Sequence, residues 1–168
     1  IDADPSQLAL NTATTLGSIE SCVSAAPGSY VNVDLFVTNV VSLLGWATTI
    51  NYDPSLINIS AINVRLFQAA DGKSTILNAS DPVPDSDGSF YASAIDLSAP
   101  PYQDSGSGVL ARISITALKA GIASLSLSSP ALTDVKGNPI GDINGDSFID
   151  GPTFNADIYI GQPCPADL

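Results

Sequence analysis

Val31-Asn32-Val33-Asp34-Leu35-Phe36-Val37 decides the fold class. Val31, Val33, Leu35 and Val37 put four apolar side chains on one face, and Asn32, Asp34 and Phe36 lie on the other. A period of two is the signature of a half-buried strand, whereas a helix repeats every ~3.6 residues. The pattern extends both ways. Leu8, Leu10, Thr12, Thr14 and Leu16 alternate upstream. Downstream, strands are expected over 46–52, closed by Asp53-Pro54, and over 57–66, 90–97, 109–117 and 123–127. A short edge strand over 131–135 precedes the Lys136-Gly137-Asn138-Pro139 turn. Residues 68–88 and 98–108 read as long loops. Seven to nine short strands without a long helix predict an all-β chain, two antiparallel sheets packed face to face in a β-sandwich.

Composition narrows the function. Of 17 acidic residues, 16 are Asp, against 5 Lys and Arg, for a net charge of -12. Glu favours helices, while Asp favours turns, caps and metal loops, so this acidity belongs to loops and cations. Nucleic acid and anionic membrane both require positive patches and are not expected partners. No apolar run is long enough to span a bilayer. Ile1 is followed at once by Asp2 and Asp4, so no leader peptide is expected here and an exported chain would be in its mature form. His is absent, which removes the commonest general base and transition-metal ligand and leaves oxygen donors, suited to calcium. The sole Glu, Glu20, sits in a Ser/Gly-rich stretch beside Cys22, and no catalytic constellation is expected.

Cys22 and Cys164 are the only cysteines. Their even number, the acidity and two glycosylation sequons, Asn58-Ile59-Ser60 and Asn78-Ala79-Ser80, point to an oxidising, extracellular setting. A Cys22–Cys164 disulfide is predicted, tying the last residues to the first strands. Asn58 and Asn78 are expected at the surface, Asn78 in the longer loop.

Residues 27–140 resemble a cohesin-type module. Pro27-Gly28-Ser29-Tyr30-Val31-Asn32-Val33 is similar to that family's opening strand. Gly45-Trp46-Ala47-Thr48-Thr49-Ile50-Asn51-Tyr52-Asp53-Pro54-Ser55-Leu56-Ile57 is similar to its segment ending in YDPS and a hydrophobic residue. Gly106-Ser107-Gly108-Val109-Leu110-Ala111-Arg112-Ile113 and the Lys119-Ala120-Gly121 turn complete the match. The resemblance implies a sandwich that serves extracellular assembly. Trp46 and Tyr52 are expected in packing, and Asp53-Pro54 in a turn.

Asp142-Ile143-Asn144-Gly145-Asp146-Ser147-Phe148-Ile149-Asp150 carries the most specific chemistry. Oxygen side chains at relative positions 1, 3, 5 and 9 match an EF-hand-type loop, with a backbone carbonyl, here that of Phe148, at 7. Ile149, at position 8, is expected to anchor the loop in the core. With Gly141 the segment resembles one dockerin repeat, with Ser147 where Gly is usual and Thr153 where an acidic ligand is expected. The predicted calcium ligands are therefore Asp142, Asn144, Asp146, Phe148 and Asp150, with Asp157 or another loop carboxylate completing the set; a metal-free Asx turn is the alternative. The Asp81, Asp85, Asp87 cluster fits no ligand template and reads as a solvated loop.

The expected organisation is a cohesin-like sandwich over 1–140, of the jelly-roll kind also found in carbohydrate-binding modules. A calcium loop and tail over 141–168 follow it. Two functions fit. One is a secreted, non-catalytic assembly subunit, a homo-oligomer or polymer in which Leu8, Leu10 and Leu16 pair with a neighbour's sheet edge or else complete the chain's own sandwich. The other is a polysaccharide-binding or adhesion module, for which Tyr91, Tyr102 and Tyr159 are the available aromatics.

Overall fold

The computed structural model describes residues 1–6, 10–98 and 104–167. They form eight strands: β1 (Cys22–Ala25), β2 (Tyr30–Asn51), β3 (Ile57–Asn63), β4 (Ile76–Asn78), β5 (Ser89–Asp96), β6 (Asp104–Ala117), β7 (Gly121–Asp134) and β8 (Ala156–Ile160). Short 3-10 turns span Phe67–Ala69 and Pro165–Asp167. None of the described elements is a helix long and apolar enough to cross a membrane.

β2 belongs to both layers. Up to Leu43 one of its sides pairs with β6, which continues to β3. From Gly45 to Asn51 that side pairs with β5, and the other with β7. The transfer is made by irregularities between Val37 and Leu43, where Asn39 and Ser42 adopt positive φ of 55° and 54°. Bulges bend a strand and raise its twist, which lets one strand serve two packed sheets. The two strands expected around 31–37 and 46–52 are thus one. Likewise, the strands expected over 123–127 and 131–135 are the single β7. A register shift there and Ser129 at φ 51° absorb Pro130, which lacks the N–H a regular ladder needs.

The alternating apolar residues meet between the layers. Val33, Leu35 and Val37 are buried as expected, together with Ile57, Ile59, Phe90, Ile113, Ile115 and Leu125. Trp46 and Tyr52 are also buried, the Tyr52 hydroxyl donating to Asp85.

Three strands, β1, β4 and β8, lie where none was expected. β4 sits in the first long loop, and β6, expected over 109–117, already begins inside the second. β8 inserts between β7, which it meets antiparallel, and β1, which it meets in parallel. Residues beyond 140 thus contribute core positions Ala156, Ile158 and Ile160. The disulfide Cys22–Cys164, Cα atoms 5.9 Å apart, closes this corner.

The strand expected over Leu8–Leu16 is not formed in its described part, residues 10–16. Leu8 lies outside the described residues. Leu10 is exposed and Leu16 half-buried. Asp2 pairs with Asp34 of β2 through reciprocal backbone hydrogen bonds of 2.8 and 2.9 Å. Residues 12–15 form a turn closed by Thr12 and Thr15. The segment lies tight against β6: a Cβ on Gly108 would stand 2.1 Å from the Ala13 carbonyl oxygen. The alternation fails as a strand because Asn11, within it, is drawn in to satisfy two buried carboxylates. Its amide donates to Asp2 at 2.6 Å and to Asp34 at 3.2 Å.

Candidate functional site

The two outer faces of the sandwich differ. On the β3-β6-β2 layer the outward residue Asp34 is fully buried beneath the N-terminal segment and gripped by Arg112 at 2.8 and 2.9 Å. Hydrogen bonding to Asp34 raises the Arg112 pKa above its usual value, against the effect of burial. The N-terminal segment thus covers that face at Asp34 and Gly108, while Tyr30 and Asn32 on the same layer stay exposed.

The β4-β5-β2-β7 face carries no such cover among the described residues. Register fixes its rows: Ser126, Asn51 and Ser89; Ser128, Thr49 and Tyr91; Ala131, Ala47 and Ser93; Thr133, Gly45, Ile95 and Leu77. Small side chains keep it flat, and Tyr91, Leu77 and Ile95 give one side an apolar border. None of these positions is charged, on a chain of net charge -12. Asn51 donates to Ser128 at 2.9 Å, and the Ser93 hydroxyl to the Trp46 carbonyl at 3.0 Å, so its polar groups are partly pre-positioned. A neutral, small-residue face suits another protein's surface, since docking there strands no charge. Periodicity located these residues on strands but could not say which layer stays open.

The aromatics expected for a polysaccharide site do not gather into a described strip. Tyr91 is on the β5 face and Tyr159 on β8, whereas Tyr102 lies outside the described residues.

The 141–151 loop rests on β7: Ile149 donates its N–H to the Pro130 carbonyl at 2.8 Å, and its side chain packs against the core, as expected. Ser147 takes φ 74°, a conformation natural to Gly, consistent with its standing at a glycine position of the motif. The predicted ligand oxygens are turned onto backbone N–H groups. Asp142 accepts from Gly145, Asp146 and Ser147; Asn144 from Asp146; Asp146 from Phe148; and Asp150 from Ile143 and Asn144. Backbone donors hold Asp142 below the usual carboxylate range, outweighing the opposing effect of desolvation. Asp157 is instead engaged across the β7–β8 ladder, accepting from Ser124 at 2.6 Å. No three acidic, His or Cys side chains among the described residues converge as a metal cage.

Of the sequons, Asn78 is exposed at the end of edge strand β4, and Asn58 is half-exposed on β3. The Asp81, Asp85, Asp87 cluster is structural. Asp81 accepts from the Tyr91 N–H, Asp85 pairs with Ile59, and Asp87 caps Ser89.

A second carboxylate pair, unmarked by any sequence motif, lies where β5 ends and β6 starts. Burial, then Asp96 and Asp71, push Asp104 up to about 6. A raised carboxyl pKa favours the protonated folded form. This contribution to stability is complete below the unfolded value of ~3.9 and is lost as pH rises through about 6.

No family model and no curated protein matches the chain. Solved structures do. The complex of the sixth cohesin from Acetivibrio cellulolyticus scaffoldin B with the Cel5 dockerin matches with TM-score 0.63 and 17% identity, over 83% of this chain and 94% of that one. CaCohA2 from Clostridium acetobutylicum matches with TM-score 0.59 and 20% identity, over 83% and 86%. A non-cellulosomal cohesin from the archaeon Archaeoglobus fulgidus matches with TM-score 0.56 and 15% identity, over 83% and 86%. This chain is an all-β sandwich with the fold of cohesin modules.

Proposed function

We propose that the protein is a non-catalytic extracellular assembly module that receives a protein partner on the open β4-β5-β2-β7 face. The observation that carries this reading is that face: uncharged, lined by small side chains and uncovered among the described residues, while the N-terminal segment covers part of the opposite face. The cohesin fold supports it, since solved neighbours include cohesin–dockerin complexes. The oxidised Cys22–Cys164 pair fits an extracellular setting.

The test is substitution on the face. Thr49→Arg and Ala47→Asp each place a charge at its centre without touching the core. Both variants should keep the melting temperature within a few degrees and lose partner binding by at least ~100-fold, as for a central interface position. Undiminished capture of a purified dockerin-type partner by both variants would remove the assignment. The partner can also be another copy of this chain, which light scattering of the pure protein would reveal as growth with concentration. With Asp2 already paired to Asp34 of β2 in cis, that growth should survive substitution of Leu10 and Leu16.

The loop at 142–150 is proposed to take up calcium, exchanging amide hydrogen bonds for metal–oxygen bonds from Asp142, Asn144, Asp146, Asp150 and the Phe148 carbonyl. The oxygen spacing supports this, and affinity in the ~10⁻⁴–10⁻³ M range of extracellular modules is expected. Calorimetric titration should show a binding event at this loop that Asp146→Ala removes, whatever heat other sites contribute. Identical heats in the two proteins would end the proposal. Asn58 and Asn78 are proposed glycan positions, which an intact mass equal to the bare polypeptide would refute.

A further inference from the structure

One gap in the fold is lined by oxygen atoms that have no hydrogen-bond partner among the described residues. On the shared side of β2, β6 stops at the Leu43–Asp104 pair and β5 begins at the Gly45–Ile95 pair. Between them Leu44 has no ladder partner, and its carbonyl accepts the Gln68 side-chain amide at 2.8 Å. This topology sets the end of β5, Asp96, beside the start of β6, Asp104, with Gln68 reaching in from the 67–69 turn. Ser74 approaches from the other side, two residues before the Ile76–Asp96 pair of β4 and β5.

All four side chains carry buried oxygens without a hydrogen-bond partner. Asp96 is 3% exposed and Gln68 1%. One Asp96 oxygen accepts from the Ser98 N–H at 2.8 Å, and the other has no partner. Gln68 has spent its amide on Leu44, which leaves its carbonyl oxygen unpartnered in the same gap. The Asp104 Oδ2 and the Ser74 hydroxyl oxygen are likewise buried and unpartnered. Three of these atoms can only accept. A buried acceptor left unmatched destabilises the fold, and a carboxylate does so more. Two neighbouring carboxylates add mutual repulsion. The Ser74 hydroxyl is the one donor of the four, and among the described residues no donor hydrogen-bonds to the other three oxygens, so the set is matched to a cation.

We propose that this gap binds a divalent cation, calcium by chemistry, through Asp96, Asp104, Gln68 and Ser74. Two carboxylates, an amide carbonyl and a hydroxyl form an all-oxygen set with no nitrogen or sulfur, which suits calcium rather than a transition metal. The remaining positions of a six- to eight-coordinate ion fall to water. Bound there, the ion joins β5, β6 and the 67–69 turn at the point where β2 passes between layers, and so braces one end of the open face. The inference stands independently of the 142–150 loop.

The experiment uses the full chain carrying Asp146→Ala, so that the C-terminal loop is silent, and calcium chloride as the probe. A single binding event at millimolar calcium or tighter, with a rise in melting temperature, is expected. Asp104→Asn in that background should weaken it at least tenfold. Without calcium at pH 7, Asp104→Asn should melt no lower than its parent, because it removes repulsion; this shows that lost binding is not lost folding. Gln68→Leu should also weaken binding. A calcium response unchanged by Asp104→Asn overturns the proposal. So does the absence of any response up to tens of millimolar calcium. A parent protein stabilised by acidification alone and indifferent to calcium would mean that Asp96 and Asp104 share a proton instead, which also overturns it.

Discussion

Replacing Arg112 by Met should cost the fold roughly 3–5 kcal/mol, the range for removing one partner of a buried ion pair. The guanidinium makes two hydrogen bonds to Asp34, whose side chain is 0% exposed while that of Arg112 is 37% exposed. The asymmetry sets the magnitude: the arginine could be hydrated, but the aspartate it leaves behind could not. Asp34 would retain only the Asn11 amide, which also serves Asp2, a second fully buried carboxylate. At ~2–4 °C per kcal/mol for a chain of this size, melting should fall by roughly 10 °C. Two further readings make the cause specific. Asp34→Asn added to Arg112→Met should recover part of the loss, and Asp34→Asn alone should cost less than Arg112→Met alone. A loss under about 1 kcal/mol, as for an exposed pair, would show that Asp34 is reached by water after all.

Removal of the disulfide should have an effect of similar size. Cys22 and Cys164 are 142 residues apart, and the bridge constrains the unfolded chain across nearly its whole length. The loop-entropy account gives about 5 kcal/mol for such a loop, and measured losses of native bridges run at about 2–5 kcal/mol. Local structure adds to this. β1 has four residues and pairs only with β8. Cys164 is fully buried, and its N–H donates to Ser24 at 2.7 Å. The Cys22→Ala/Cys164→Ala double variant avoids stranding a hydroxyl in that site. It should unfold at lower denaturant concentration, with amide exchange in β1 and β8 accelerated before that in β2 and β6. Equal denaturation midpoints for the oxidised protein and the variant would contradict this.

Most of the sandwich was legible locally. Val33, Leu35 and Val37 point inward because a pleated strand alternates faces, and six neighbours in the chain suffice to show it. The Cys22–Cys164 pairing was readable because two cysteines allow one intrachain bridge. The anchoring of Ile149 followed from its place in the motif. The misreadings share one cause. Leu8, Leu10 and Leu16 alternate as well as Val33 and Leu35 do, but a strand also needs a free edge to pair with. Asp2 takes the edge at Asp34, and Asn11 is required between Asp2 and Asp34. β4 and β8 are three and five residues long, too short to show a period among turn residues. Asp157 looked available to the calcium loop by sequence distance, yet β8 commits it to Ser124.

The sequence by itself determined the all-β class, the inward faces of the main strands, the disulfide and the absence of the positive charge that nucleic acid would need. Each rests on a residue's own chemistry or on a period of a few residues. Tertiary structure alone decided that β2 serves both layers, that the N-terminal segment covers part of one face and leaves the other free, and that Gln68, Asp96 and Asp104 meet in one gap. These three residues are separated by 28 and 8 positions and share no motif. What unites them is where β5 leaves β2 and β6 joins it, and such a junction exists only once the sheets have paired.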